Sequence, residues 1–287
     1  MQQIIWLASY PKSGNTWMRV FFTNLRRDAA APAHINRLLP IAMAADRKMF
    51  DEAVGFEAGE LTHDEIDMLR PEVYLHYARR ARSHLFCKVH DAFTVFADER
   101  PMFPPEATAG AIYLIRNPLD VCVSFAHHSG VPRDVMIADM ADSSAALAGP
   151  KDRLEDGQLR QRLLTWSGHV RSWADAPGLR VLVIRYEDMK SRPVETFTKA
   201  AAFVGMTQDR AKIEQALRFS SIEELQRQER EQSFRGAMAP ERAFFRKGKV
   251  GSWREELTDS QVARIIRDHR EVMLRFGYLT EAGEPAY

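Results

Sequence analysis

Ile4-Ile5-Trp6-Leu7-Ala8-Ser9-Tyr10-Pro11-Lys12-Ser13-Gly14-Asn15-Thr16-Trp17 changes pattern twice, and the fold follows from those changes. Ile4 to Ala8 is apolar throughout, long enough for a buried strand and too short to stand as a helix. Pro11 and Gly14 then break the run with turn-forming residues. From Thr16 the spacing becomes helical, with Trp17, Val20, Phe21 and the Asn24-Leu25 pair recurring on one face. A strand, a tight loop and a helix aim backbone N–H groups and a helix N-terminus at one point. Such a point attracts anions, phosphate above all. Lys12 adds a mobile cation, and Ser13 and Thr16 add hydroxyl donors. The loop is not the nucleoside-triphosphate form Gly-x-x-x-x-Gly-Lys-Ser/Thr, because here the lysine precedes the glycine.

A chain of 287 residues can bury a full core. Forty Lys and Arg stand against 39 Asp and Glu, a net charge of +1. A general polyanion binder carries a larger surplus, so no nucleic-acid partner is expected and any anion site must be local. Cys87 and Cys122 both sit inside apolar runs, which points to a reducing compartment rather than a disulfide framework. No run approaches the ~18 apolar residues of a membrane span. The first apolar run has no basic segment before it and is cut by Pro11 and Lys12, so neither a span nor a signal peptide is expected. The expected location is cytoplasmic.

Working outward from the loop, the first helix should end near Arg26-Arg27. Residues 28–83 are Ala-rich and charged, with helical fragments over 41–51 and 62–69. Thr62-His63-Asp64-Glu65 has the form of a capping box, and Pro71 is expected to end or restart that helix. Further strands are expected over 85–90, 111–115 and 181–184. Asp120 is placed to cap the helix that follows Arg116-Asn117-Pro118. Residues 129–157 lack periodicity and read as a loop or lid, as do 226–243. Helices are expected over 160–173, 194–204, 208–219 and from Asp259 to Phe276. Apolar strands alternating with helices argue for an α/β chain, a single domain over 1–287 with a central, mainly parallel sheet flanked by helices.

Five strings carry the chemistry: Tyr10-Pro11-Lys12-Ser13-Gly14; Lys88-Val89-His90; Arg116-Asn117-Pro118 with Asp120 and Ser124; Arg185-Tyr186-Glu187-Asp188-Met189; and Arg246-Lys247-Gly248 with Gly251 and Trp253. In this order, over nearly the whole chain, they resemble the motifs of sulfotransferases that use 3′-phosphoadenosine 5′-phosphosulfate. The resemblance implies a P-loop NTPase-like fold and in-line transfer of a sulfuryl group to an acceptor hydroxyl, releasing 3′-phosphoadenosine 5′-phosphate. It implies that Lys12, Ser13, Gly14, Asn15 and Thr16 hold the 5′-phosphosulfate. Arg116, Ser124, Arg246, Lys247 and Gly248 then suit the 3′-phosphate, through guanidinium forks and backbone N–H groups. Trp17 and Ile222 would flank the adenine, and Tyr186 and Ser220 would touch it. The segments near 28–83 and 129–157 would face the acceptor.

The acceptor hydroxyl must lose its proton as its oxygen attacks sulfur. His90 is the candidate general base, since an unperturbed imidazole pKa of ~6.5 suits work near neutrality. Lys12 and Lys88 would stabilise charge on the leaving phosphate and the sulfuryl oxygens. Were His90 not the base, Asp91 is the nearest carboxylate. There is no acidic metal motif, and His127-His128 lacks complementary ligand spacing, so no metal is expected. The acceptor is expected to be a small molecule: a phenol, an alcohol, a sugar or a natural product. Two other readings remain open. A P-loop kinase-like phosphoryl transferase is disfavoured by the order of residues in the loop and by Arg246-Lys247-Gly248. A non-catalytic nucleotide-binding protein is disfavoured by Lys12, Lys88 and His90 together, because binding alone needs no base.

Overall fold

In a computed structural model, which describes residues 3–38, 42–148, 157–234, 243–246 and 248–287, the opening apolar run is the middle strand of a sheet. Strands β1 (Ile4–Ser9), β2 (Ala42–Met43), β3 (Leu85–Val89), β4 (Thr108–Ile115) and β7 (Val181–Arg185) form a parallel five-stranded sheet in the order β2-β3-β1-β4-β7. Every residue of β1 is buried, as expected of a parallel strand covered on both faces. The register pairs Ile4 with Leu85 and runs to Ala8 with Val89. Ser9 and His90 therefore leave two neighbouring parallel strands at the same edge, where α/β sheets characteristically carry their chemistry.

By packing, the described residues fall into two compact units, each gathered from three separate stretches. One lies within 1–10, 41–113 and 142–183, the other within 11–40, 114–141 and 184–287.

The first unit holds α2 (Arg47–Val54), α3 (His63–Arg80), a short hairpin of β5 (Ala146–Leu147) with β6 (Gln161–Arg162), and α6 (Trp166–Ala174). Its core is aromatic: Trp6 meets Tyr74 and Phe103 edge-on at 5.0 and 4.9 Å, and Trp173 lies 5.0 Å from Phe103. The Thr62 capping box forms as expected. Pro71, expected to end or restart the helix, lies buried inside an uninterrupted α3, where Arg70 and Tyr74 on either side are fixed by tertiary bonds. The helix expected over 160–173 starts only at Trp166, capped by Thr165. Before it, the Arg162 backbone is taken by Asp91 Oδ1 and by the Ala92 N–H. The helix expected over 41–51 likewise starts late, behind β2 and an Asp46 cap.

The second unit holds α1 (Asn15–Arg27), α4 (Pro118–Ser129), α5 (Arg133–Met140), α7 (Tyr186–Ser191), α8 (Pro193–Phe203), α9 (Arg210–Arg218), α10 (Ile222–Glu231) and α11 (Asp259–Arg275). The cap of α4 is Asn117, whose Oδ1 accepts from Leu119 N at 3.0 Å, and not Asp120. Within the expected loop 129–157, α5 buries Met136, Ile137 and Met140, an apolar face too short to read as periodic. Within the expected loop 226–243, α10 carries only Leu225 and Gln228 inward and is held by its Ser221 cap and by Arg227 paired with Glu224 and Glu231. The remaining parts of those two segments, 149–156 and 235–242, lie outside the described residues. Cys87 and Cys122 are buried and form no disulfide. Among the described residues no helix is long and apolar enough to cross a membrane.

Candidate active site

The loop between β1 and α1 turns through two left-handed residues, Lys12 at φ 67° and Gly14 at φ 102°. Only glycine fits the second, because a Cβ there would meet the Tyr186 ring at 3.0 Å. Asn15 and Thr16 are the first residues of α1, whose first turn carries no acidic side chain to offset the positive end of the helix. Ser13 is fully buried, and its Oγ has no hydrogen-bond partner among the described residues. The Lys12 ammonium rests 3.8 Å from the centroid of Phe244.

Arg116 stands beside this loop. Its Nη1 donates to Lys12 O at 3.2 Å and its Nη2 to Lys249 O at 3.1 Å, tying two loops together, while its buried Nε has no partner among the described residues. Its guanidinium lies 4.4 Å from the Tyr186 ring centroid, and Tyr186 meets Trp17 edge-on at 6.0 Å. Burial pushes the Tyr186 hydroxyl above its ordinary pKa, with Arg116 pulling the other way. Ser124 is half-buried one turn along α4 from Asp120.

Two buried carboxylates act as braces. Asp120 accepts from Gly251 N at 2.8 Å, Ser252 Oγ at 3.0 Å and Trp253 N at 3.1 Å. Glu187 accepts from Asn117 N and from Tyr278 OH, both at 3.0 Å, and burial raises its pKa. The sequence reading missed both roles. The signal that was present is an acidic residue inside an otherwise apolar motif, which burial forces to find partners.

Arg246 is engaged by Glu256 through both Nη atoms, at 3.2 and 2.9 Å, and Glu256 also receives Arg133 at 2.7 Å. Lys247 lies outside the described residues. Gly248, at φ 57°, approaches Ile222 so closely that a Cβ would lie 3.0 Å from its Cγ1. Ser220, expected against adenine, donates its Oγ proton to Ala216 O at 2.6 Å and accepts from Asn24 Nδ2 at 3.2 Å. The second unit thus gathers Lys12, Ser13, Gly14, Trp17, Arg116 and Tyr186 around one loop, and Ile222 with Gly248 at another.

In the first unit, Lys88 lies on β3 opposite Leu7. His90 Nδ1 is 2.8 Å from Ser9 O and 3.3 Å from Ser9 Oγ. A carbonyl only accepts, so Nδ1 carries the proton and Nε2 is the basic nitrogen. Asp91, the fallback base, is fully buried and gripped by Arg70 at 2.8 and 2.7 Å, with Arg162 N at 3.1 Å. Its lone pairs serve the protein, and it is not available as a base.

An unpartnered buried hydroxyl at Ser13, an unpartnered Nε at Arg116 and a turn at Gly14 that a Cβ would fill fit a phosphosulfate or phosphate group at this loop. No group of three or more His, Cys, Asp or Glu residues that could hold a metal ion occurs among the described residues.

The chain is similar to known proteins in sequence and fold. The chain is 26% identical to a flavonol 3-sulfotransferase of Flaveria bidentis, over 91% of this chain and 78% of that one. It is 24% identical to a luciferin sulfotransferase of Photinus pyralis, over 96% and 73%. Its fold is similar to that of mouse sulfotransferase SULT7A1 complexed with PAP, at TM-score 0.58 and 20% identity, covering 99% of this chain and 86% of that one. A retinol dehydratase in complex with androsterone and PAP aligns at TM-score 0.60 and 18% identity, over 94% and 80%. The family model for the sulfotransferase domain matches residues 2–277, a span that takes in the Lys12 loop, Lys88-Val89-His90, Arg116, Tyr186 and Arg246 through Trp253 alike, and the chain belongs to that family.

Proposed function

We propose that this sulfotransferase moves the sulfuryl group of 3′-phosphoadenosine 5′-phosphosulfate to the hydroxyl of a small-molecule acceptor, with His90 as general base. The observation that carries the reading is the Ser13 hydroxyl, fully buried and unpartnered at the N-terminus of α1. Such a group calls for an acceptor that the described residues do not supply, and an oxygen of the donor's phosphosulfate would be one. The alternative of phosphoryl transfer is not favoured, because the family match spans the chain.

In this reading Ser13 and the N–H groups of Gly14, Asn15, Thr16 and Trp17 bind the 5′-phosphosulfate, and Lys12 leaves Phe244 to neutralise the departing phosphate. Arg116 offers its Nε–H to the 3′-phosphate while its two Nη groups fix the loops, and Ser124, Lys247 and the Gly248 N–H complete that pocket. Trp17, Tyr186 and Ile222 border the adenine. Lys88 stabilises the equatorial sulfuryl oxygens. His90 Nε2 takes the hydroxyl proton as the new O–S bond forms and the S–O bond to phosphate breaks. The names of the relatives, which include flavonol and luciferin sulfotransferases, support a small hydroxylated acceptor. Because each unit is assembled from interleaved stretches, the chain serves as one domain, and its two buried cysteines, in no disulfide, suit the cytoplasm.

The donor is tested by thermal shift. 3′-Phosphoadenosine 5′-phosphate should raise Tm by mass action and AMP far less; equal shifts count against the Arg116 pocket. The reaction is tested by mass spectrometry on a panel of phenols, aliphatic alcohols and sugars. His90→Ala should keep the nucleotide shift while turnover falls ~10²–10⁴-fold. Near-normal turnover with a non-phenolic acceptor rules out His90 as the base.

A further inference from the structure

A second imidazole supports the peptide of His90. His169, fully buried on α6, places Nε2 3.0 Å from His90 O and Nδ1 2.9 Å from Tyr113 OH. A carbonyl accepts, so Nε2 carries the proton; Nδ1 is then the acceptor, and the Tyr113 hydroxyl donates to it. The Tyr113 bond needs a neutral ring, with Nδ1 unprotonated, and burial pulls the His169 pKa down to about 4 against the His90 carbonyl, which favours the charged form. The ring is confined by Tyr10, edge-on at 5.4 Å, and by Tyr113 at 5.6 Å. One turn further along α6, Trp173 Nε1 donates to Asp91 O at 2.8 Å. Residues four apart share a helix face, so one face of α6 holds two successive carbonyls, those of His90 and Asp91. Arg70 holds the Asp91 carboxylate from α3.

We propose that His169 is a positioning residue for the reaction: its Nε2–H, locked in place by Tyr113, fixes the His90 main chain so that the His90 ring keeps the bond to Ser9 O that leaves its Nε2 basic. The proposal rests on the reading of His90 as the base. A histidine that merely fills the core would have no reason to leave its mark on turnover alone.

Two substitutions separate these. His169→Gln keeps an N–H at similar reach, whereas His169→Met fills the space with no donor. The Met variant should lose ~10–100-fold in kcat, the scale of a misplaced catalytic group, with acceptor KM and nucleotide affinity unchanged. The Gln variant should recover several-fold over Met; equal kcat in the two overturns the proposal. Should the Met variant not fold, NMR of histidine-labelled enzyme reads the rings directly. His169 is expected as the Nε2–H tautomer and His90 as Nδ1–H at neutral pH, and Tyr113→Phe should mix the His90 tautomers. A His169 that is protonated or Nδ1–H, or a His90 ring indifferent to Tyr113→Phe, overturns the proposal. His90→Ala distinguishes the failures. If that variant stays active, the base assignment falls; if it is inactive while His169→Met matches wild type, only the positioning role falls.

Discussion

A buried hydroxyl without a partner costs about 1–3 kcal/mol, and Ser13 is such a hydroxyl. Ser13→Ala should therefore leave the ligand-free Tm unchanged or raise it, while the Tm gain from 3′-phosphoadenosine 5′-phosphate shrinks. A variant that loses Tm without ligand and keeps the full gain would show that the hydroxyl serves the fold. Gly14→Ala should differ in the ligand-free protein. Its φ of 102° and the 3.0 Å approach to Tyr186 put strain on any Cβ, so ligand-free stability should fall by roughly 1–2 kcal/mol with donor affinity reduced as well. These residues were legible in the sequence because a strand, a turn and a helix are each written in a few neighbouring residues. That Ser13 is unpartnered was not legible, since it depends on every side chain that comes near it.

At the scale of elements, the strands and long helices follow from local pattern, and the misreadings all have tertiary causes. Asp120 is a good capping residue by type, yet Asn117 caps α4 and the Asp120 carboxylate reaches Gly251, Ser252 and Trp253, more than 130 positions later. Pro71 is a helix breaker by type, yet α3 passes through it under the ion pairs of Arg70. Short helices such as α5 bury too few residues to show a period. The Asp120 brace predicts a large cost: Asp120→Ala strands two buried donors and the part-buried Gly251 N–H, and should lose about 3 kcal/mol or more in urea unfolding, at roughly 1–3 kcal/mol per unsatisfied group. Asn117→Ala removes one cap bond and should cost only ~1 kcal/mol. Similar losses in the two variants would mean that Asp120 holds the 251–253 segment no more firmly than a cap holds a helix end.

For the whole molecule, buried titratable groups contribute to how stability depends on pH, and one that acts on the acid side is His169. Its pKa falls from 6.5 to about 4 on folding. A depressed folded pKa means that the unfolded chain binds more protons between those two values. The stabilising contribution is therefore complete above about pH 6.5 and is lost as pH falls toward 4. At 1.36 kcal/mol per unit the full loss is about 3 kcal/mol. Glu187 works against it: burial raises its folded pKa, so the folded state gains protons first and that group adds stability as pH falls. Surface carboxylates such as Asp64 and Glu224, held low by arginines, add to the loss on acidification but are largely screened by solvent. Stability should thus fall between pH 6.5 and 4, and His169→Gln, which cannot titrate there, should flatten that fall even if it is less stable at pH 7. Urea unfolding of both proteins at unit steps from pH 7 to pH 4 measures the two slopes. Parallel slopes would mean that His169 does not stay neutral in the folded state, and the fixed tautomer under His90 would fall with it.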